Sequence, residues 1–185
     1  MTTGIDLVAW QLRIAPGEPL PLTQEQVPLH GHAMEVRLYA EDPARNFLPQ
    51  TGKVLSFEPA TGDGVRIDHG LVEGMSITSF YDPMLAKVIC YGKDREEARR
   101  RLVQALAATQ LLGVSDNREF LTHLLEHENF IDGSATTDFI KNEFANDASL
   151  TPTPLPATLW ALAAFCRLQD APWPDAISGW HSSLN

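Results

Sequence analysis

Apolar residues recur along this chain with two different periods, and the changes of period divide the sequence into its parts. Ile5, Val8, Leu12 and Ala15 share one face at 3.6-residue spacing. They predict a helix over 5–15, with Thr3 placed to cap it and Pro16-Gly17 to stop it. From residue 32 the period drops to two. Met34, Val36, Leu38 and Ala40 alternate with Glu35, Arg37 and Tyr39, the pattern of a half-buried strand, and Glu41-Asp42-Pro43 ends it. Further strands are predicted over 52–57, over 65–67 after the turn Thr61-Gly62-Asp63-Gly64, and over 84–91. Helical spacing returns after Asp94, a capping residue. Ala98, Leu102, Ala105, Leu106 and Thr109 mark a helix to about Leu112, which Gly113 closes. Asn117 opens another helix, carrying Phe120, Leu121, Leu124 and Leu125, and a last one covers about 137–144. Strands first and helices later predict an α+β domain, an antiparallel β-sheet with C-terminal helices packed on it.

This pattern ends near residue 146. Residues 147–156 contain Thr151-Pro152-Thr153-Pro154-Leu155-Pro156 and are expected to be a linker. Residues 157–185 hold one apolar helix, Ala157 to Leu168, and a loop with Pro172-Trp173-Pro174 and Trp180. That stretch is too short to build its own core and is expected to be the truncated start of a following region.

Charge narrows the partners. Fourteen Lys and Arg stand against 24 Asp and Glu, a formal net charge of −10, which disfavours a phosphate backbone and so a nucleic-acid partner. The longest basic run, Arg99-Arg100-Arg101, follows Glu96 and Glu97 at helical spacing and is expected to be a solvated helix face. No apolar stretch is long enough for a membrane span. Two cysteines without metal-ligand spacing suit a reducing compartment, and a cytoplasmic location is expected.

Candidate chemistry is sparse. No phosphate-binding glycine loop and no GxSxG elbow is present. His123 and His127 have zinc-ligand spacing, but Leu124 stands where a metalloprotease helix needs Glu, so a surface pair is expected and no metal site is assigned. His30 and His32 read as loop residues. Arg37 lies mid-strand on the face of Glu35 and Tyr39. Pattern alone favours a solvated sheet face there, while a strand could also hold the guanidinium rigidly toward an anion. Tyr81-Asp82-Pro83-Met84 is a second candidate, where an Asp bonding its own turn backbone is the simpler reading.

Ordered motifs go further than these single residues. Thr3-Gly4-Ile5-Asp6-Leu7-Val8, with Gln11-Leu12-Arg13-Ile14-Ala15, resembles the segment that follows the ATP-grasp part of biotin-dependent carboxylases. Gly31-His32-Ala33-Met34-Glu35-Val36-Arg37 through Ala40-Glu41-Asp42-Pro43 is similar to that family's GHA-E-R--AEDP signature. Phe47 to Gly52, Tyr81-Asp82-Pro83-Met84-Leu85-Ala86-Lys87, Asp94 to Ala98, Asn117 with Phe120-Leu121, and Asp138-Phe139-Ile140 follow in the family's order, over about three quarters of the chain.

The resemblance implies a biotin carboxylase C-terminal domain, one part of a ligase that carboxylates biotin with bicarbonate and ATP. It implies that Arg37 stabilises negative charge on the ureido oxygen of biotin, and it puts Thr137 on the adenine side of ATP. The implied cofactors are biotin on a separate carrier domain, ATP and Mg. The implied partners are the ATP-grasp part of the same subunit, the biotin carboxyl carrier domain and a carboxyltransferase β subunit, with homodimerisation possible. Leu7-Val8-Ala9-Trp10-Gln11, Thr136 to Ile140 and the segment with Pro172-Trp173 and Gly179-Trp180-His181 resemble methylcrotonoyl-CoA carboxylase α subunits most, with geranyl-CoA, propionyl-CoA and acetyl-CoA carboxylase subunits as the alternatives. The family's metal-binding glutamates and ATP-contacting lysines match nothing in this chain, so the piece alone is expected to be inactive. The competing expectation is a non-catalytic interaction or dimerisation module that keeps the scaffold.

Overall fold

The alternation at residues 32–40 becomes an edge strand of the principal sheet. The computed structural model describes residues 1–152 and 154–170, and the chain divides into two units, Met1–Thr151 and Pro152–Asn185. In the first, α1 (Leu7–Ile14) precedes β1 (His32–Tyr39), β2 (Glu41–Asp42), β3 (Leu48–Pro49), β4 (Gly52–Lys53), β5 (Ser56–Glu58), β6 (Val65–His69), β7 (Ser76–Ile77) and β8 (Met84–Gly92). Then come α2 (Arg95–Ala108), β9 (Gln110–Leu112), α3 (Arg118–Glu126), α4 (Glu128–Asp132) and α5 (Phe139–Asn142). The second unit carries α6 (Ala157–Asp170). The Pro172-Trp173 and Gly179-Trp180-His181 features lie outside the described residues.

The principal sheet has the order β1-β8-β6, and both pairings are antiparallel. β2-β3, β4-β7 and β5-β9 form two-stranded antiparallel ladders. The α+β expectation therefore holds. In the principal sheet Val36 faces Val88 and Met34 faces Cys90, with Ile67 and Val65 opposite the same two residues from β6. These side chains meet Leu102, Ala105 and Leu106 of α2 and Phe120, Leu121 and Leu125 of α3 in one core, completed by Phe139 and Phe144. A second cluster gathers Leu38, Ala40, Val54, Leu71, Leu85, Ala86 and Leu111. Helix α2 starts on β8 without clearance: a Cβ on Gly92 would lie 2.4 Å from the Ala98 nitrogen, so only glycine fits there.

Several boundaries differ from the periodicity. Asp6, not Thr3, caps α1, its Oδ1 accepting from the Ala9 N–H at 3.0 Å, and Leu7, Val8 and Leu12 are exposed. The helix expected to reach Leu112 stops at Ala108. Thr109 turns extended, its hydroxyl donates to the Ala105 carbonyl and accepts from the Ala60 N–H, and residues 110–112 pair with β5 instead. The strand expected over 52–57 is two, because β4 and β5 join different partners. The helix expected over 137–144 shrinks to α5.

The arginine run is more than a solvated face. Arg99 is buried, bonds Glu96 through two nitrogens and donates to the Leu125 carbonyl at the end of α3. Arg95 donates to the Phe130 and Ile131 carbonyls and lies over the Phe130 ring. These guanidiniums satisfy carbonyls that helix termini leave open. The first unit also continues past the boundary expected at 146. The Asp147 carboxylate meets His123 Nδ1 at 2.8 Å and accepts from the Ser149 N–H and Oγ, so 147–151 fold with it.

Candidate functional site

The outer face of the principal sheet collects the polar residues that alternate with the core. Its cross-strand rows are Glu35–Ile89–Arg66 and Arg37–Lys87–Asp68. Arg37 lies on β1, whose far edge has no neighbouring strand in this sheet among the described residues. Asn117 occupies that edge. Its Oδ1 accepts from the Tyr39 N–H at 2.9 Å, its Nδ2 donates to the Arg37 carbonyl at 3.3 Å, and its own N–H donates to the Tyr39 carbonyl at 3.2 Å. Asn117 is 5% exposed and makes no side-chain cap bond to α3, because its carboxamide is spent on β1. It thus fixes the backbone on both sides of Leu38 and so the direction of the Arg37 side chain.

Electrostatically this face runs against the rest of the molecule. Arg37, Lys87 and Arg66 stand against Glu35 and Asp68, whereas the chain as a whole carries −10. Arg66 holds both Asp68 oxygens, at 2.8 and 2.9 Å, and this hydrogen-bonded pair keeps the Asp68 carboxyl below the usual carboxylate range. Arg37 comes no closer than 4.0 Å to Glu35, and its side chain is 59% exposed. The guanidinium is therefore held at its base and open at its head.

At the end of the β1–β8 ladder the register shifts, so that Tyr39 lies opposite Met84, and the Ala40 N–H bonds the Pro83 carbonyl. The Tyr81–Met84 turn and Arg37 therefore come to the same end of the sheet. Asp82 accepts from the Met84 N–H at 2.8 Å, the turn-stabilising bond expected of it. Burial first, and then the charge of Asp82, hold the Glu41 carboxyl above its ordinary value. Tyr81, Asp82 and Met84 also line a cavity of about 220 Å³ with Leu71 and Ile77.

The other sequence candidates lie elsewhere. Thr137 is exposed in the turn before α5, within the helical layer on the inner side of the sheet, and is not brought to Arg37. His123 and His127 are half-buried instead of a surface pair. His123 bonds Asp147, while His127 caps α4 through the Asn129 N–H and packs edge-on against Phe139 and Phe144. Among the described residues no three His, Cys, Asp or Glu side chains gather around a metal position. Asn117 was legible only as a helix start. That position satisfies the capping rule by itself, so nothing in the pattern points across 78 residues to β1.

Comparison with known proteins fits this geometry. The model of the biotin carboxylase C-terminal domain matches residues 35–142, more than half of the chain. The chain belongs to that family. The biotin carboxylase of Halalkalibacterium halodurans is 46% identical over 140 residues, which is 76% of this chain and 31% of that protein. The mouse methylcrotonoyl-CoA carboxylase α subunit is 44% identical over 141 residues, 76% of this chain and 20% of that protein. Among solved structures, the biotin carboxylase subunit of a pyruvate carboxylase has a TM-score of 0.77 at 34% identity, covering 83% of this chain and 34% of that one. The biotin carboxylase domain dimer of Hydrogenobacter thermophilus 2-oxoglutarate carboxylase, in complex with MgADP, ADP and bicarbonate, also gives 0.77, at 32% identity over 83% and 33%. The chain thus spans 20–34% of the length of these relatives, all of them biotin-dependent carboxylases or parts of them.

Proposed function

We propose that this chain is the C-terminal part of the biotin carboxylase component of an acyl-CoA carboxylase, of which the methylcrotonoyl-CoA enzyme is the best fit, and that it contributes Arg37 to the biotin site. The observation that carries this reading is an arginine fixed at its backbone by Asn117, its side chain 59% exposed and its guanidinium 4.0 Å from the nearest carboxylate among the described residues, that of Glu35. Such a group fits an anionic oxygen, because it keeps its charge at any working pH and offers several donors in fixed directions. Biotin would supply a ureido nitrogen that takes up the carboxyl group, with negative charge developing on the ureido oxygen. Arg37 cannot remove the proton. Its work is to stabilise that oxygen electrostatically, an effect worth about 3–4 kcal/mol where one such donor is removed from an enzyme.

ATP and Mg belong, in this reading, to the ATP-grasp part of the parent subunit. Thr137 stands on the adenine side of that nucleotide. The other partners are the biotin carboxyl carrier domain, the carboxyltransferase β subunit and a second biotin carboxylase copy. The 185-residue chain alone turns over neither ATP nor biotin, and turnover by the purified, folded chain would overturn that statement. In a reconstituted full-length subunit, Arg37→Ala should lower biotin carboxylation about 10²–10³-fold while ATP affinity stays within twofold. Unchanged turnover would remove Arg37 from the site.

A further inference from the structure

The Asn117 brace reveals the kind of cross-strand pair to which Arg37 belongs. The Arg37 carbonyl and both backbone groups of Tyr39 bond Asn117, so they point away from β8. Arg37 and its partner Lys87 are therefore a non-hydrogen-bonded pair, the antiparallel arrangement in which facing side chains come closest, with Cα atoms about 4.5 Å apart. Like charges placed directly opposite destabilise a sheet. Here the nearby carboxylates relieve the repulsion only in part, Asp68 acting on Lys87 through its charge alone. Glu35 is 4.0 Å from Arg37, both Asp68 oxygens are taken by Arg66, and Lys87 forms no ion pair within 4.0 Å among the described residues. Nor does Lys87 protect a sheet edge, the common use of a strand lysine, because β8 is the central strand.

We propose that Lys87 is a second cation of the Arg37 site, and that the pair together receives one small anion of the carboxylate class, with an oxygen directed at each head group. This deepens the reading of Arg37 given above and rests on it. An anion between the heads converts the unfavourable juxtaposition into two charge-assisted hydrogen bonds. Lys87 then selects ligands carrying a second anionic oxygen beside the one that Arg37 binds.

The test uses the 185-residue chain, labelled with ¹⁵N and titrated with sodium acetate at constant ionic strength maintained by sodium chloride. Saturable shifts are expected at the Arg37 side-chain Nε–H and at the backbone amides of Arg37 and Lys87. Lys87→Met, which keeps the aliphatic stem, should weaken binding at least fivefold, and Lys87→Arg should restore it to within twofold. Inner-face amides of β8 that stay in place verify that both variants fold. No saturable shift, or equal affinity in Lys87→Met, overturns the proposal. If Arg37→Met abolishes binding while Lys87→Met does not, the second cation falls and the Arg37 reading stands. If Lys87→Met abolishes it while Arg37→Met does not, the shared site and the Arg37 reading fall together. Shifts that follow protein concentration instead of acetate identify a carboxylate of a second copy and also overturn the proposal.

Discussion

Replacing Asn117 separates two roles that one side chain could play at the start of a helix. As a cap it would bond the first turn of α3, and Ser would serve nearly as well. As a brace it bonds β1, and Ser is too short to reach. In the structure the side chain makes no cap bond and two bonds to β1, to the Tyr39 N–H at 2.9 Å and to the Arg37 carbonyl at 3.3 Å. Removing a partner from a buried polar group costs about 1–3 kcal/mol, and a long bond lies at the low end of that range. Asn117→Ser should therefore destabilise the first unit by about 2–3 kcal/mol, as should Asn117→Ala. With a urea dependence of roughly 2 kcal/mol per molar, the midpoint moves down by on the order of 1 M.

Equilibrium urea unfolding followed by circular dichroism reads this directly, with hydrogen exchange at the Tyr39 amide as the local probe. Asn117→Asp adds a graded case. It keeps the acceptor for Tyr39 but turns a carboxylate oxygen toward the Arg37 carbonyl, so it should be no more stable than Ser. An Asn117→Ser variant within 0.5 kcal/mol of wild type would refute the brace and return Asn117 to an ordinary cap.

Three further outcomes follow from the interior. Phe144 is 1% exposed and meets the rings of Phe120 and Phe139 at 5.5 and 5.7 Å, so Phe144→Ala should cost about 3–5 kcal/mol in the same unfolding assay. Burial pushes the Cys90 thiol up to about 11 despite the nearby Arg101 charge, whereas Cys166 is exposed. Iodoacetamide at pH 8 should accordingly label one cysteine in the native chain and two in denaturant, and rapid native labelling of both would contradict the burial of Cys90. Burial alone would raise the Asp147 carboxyl, but hydrogen bonds from Ser149 and the interaction with His123 outweigh it and hold the group below its ordinary value. A depressed folded-state value stabilises the fold above the unfolded value, near pH 4, and that contribution is lost as pH falls through the folded value. Unfolding midpoints between pH 7 and 3 should decline less steeply for Asp147→Asn than for wild type, and parallel declines would refute the assignment.

How far the sequence discloses this molecule depends on whether a signal is local. The alternation of Met34, Val36, Leu38 and Ala40 announces β1 because burial of one sheet face is a property of consecutive residues, and the α2 face is legible for the same reason. Residues 109–112 fail that test. Leu112 continues the helical spacing of Ala105 and Thr109, yet Thr109 bonds Ala60 and residues 110–112 pair with β5, more than 50 positions earlier. His123 and Asp147 likewise meet across 24 residues, so the end of the unit lies beyond the last periodic helix. The site is split in the same way. Motif order identifies Arg37 and the periodicity gives its face, but its stiffness comes from Asn117 and its electrostatic setting from Lys87, Arg66 and Asp68. Those residues obey local rules where they stand, as a helix start and as strand positions. Only the antiparallel register makes two cations neighbours, and only a carbonyl directed at Asn117 makes them close ones. In the reading proposed above, what separates a binding face from a solvated one is therefore pairing, a quantity that a one-dimensional pattern does not contain.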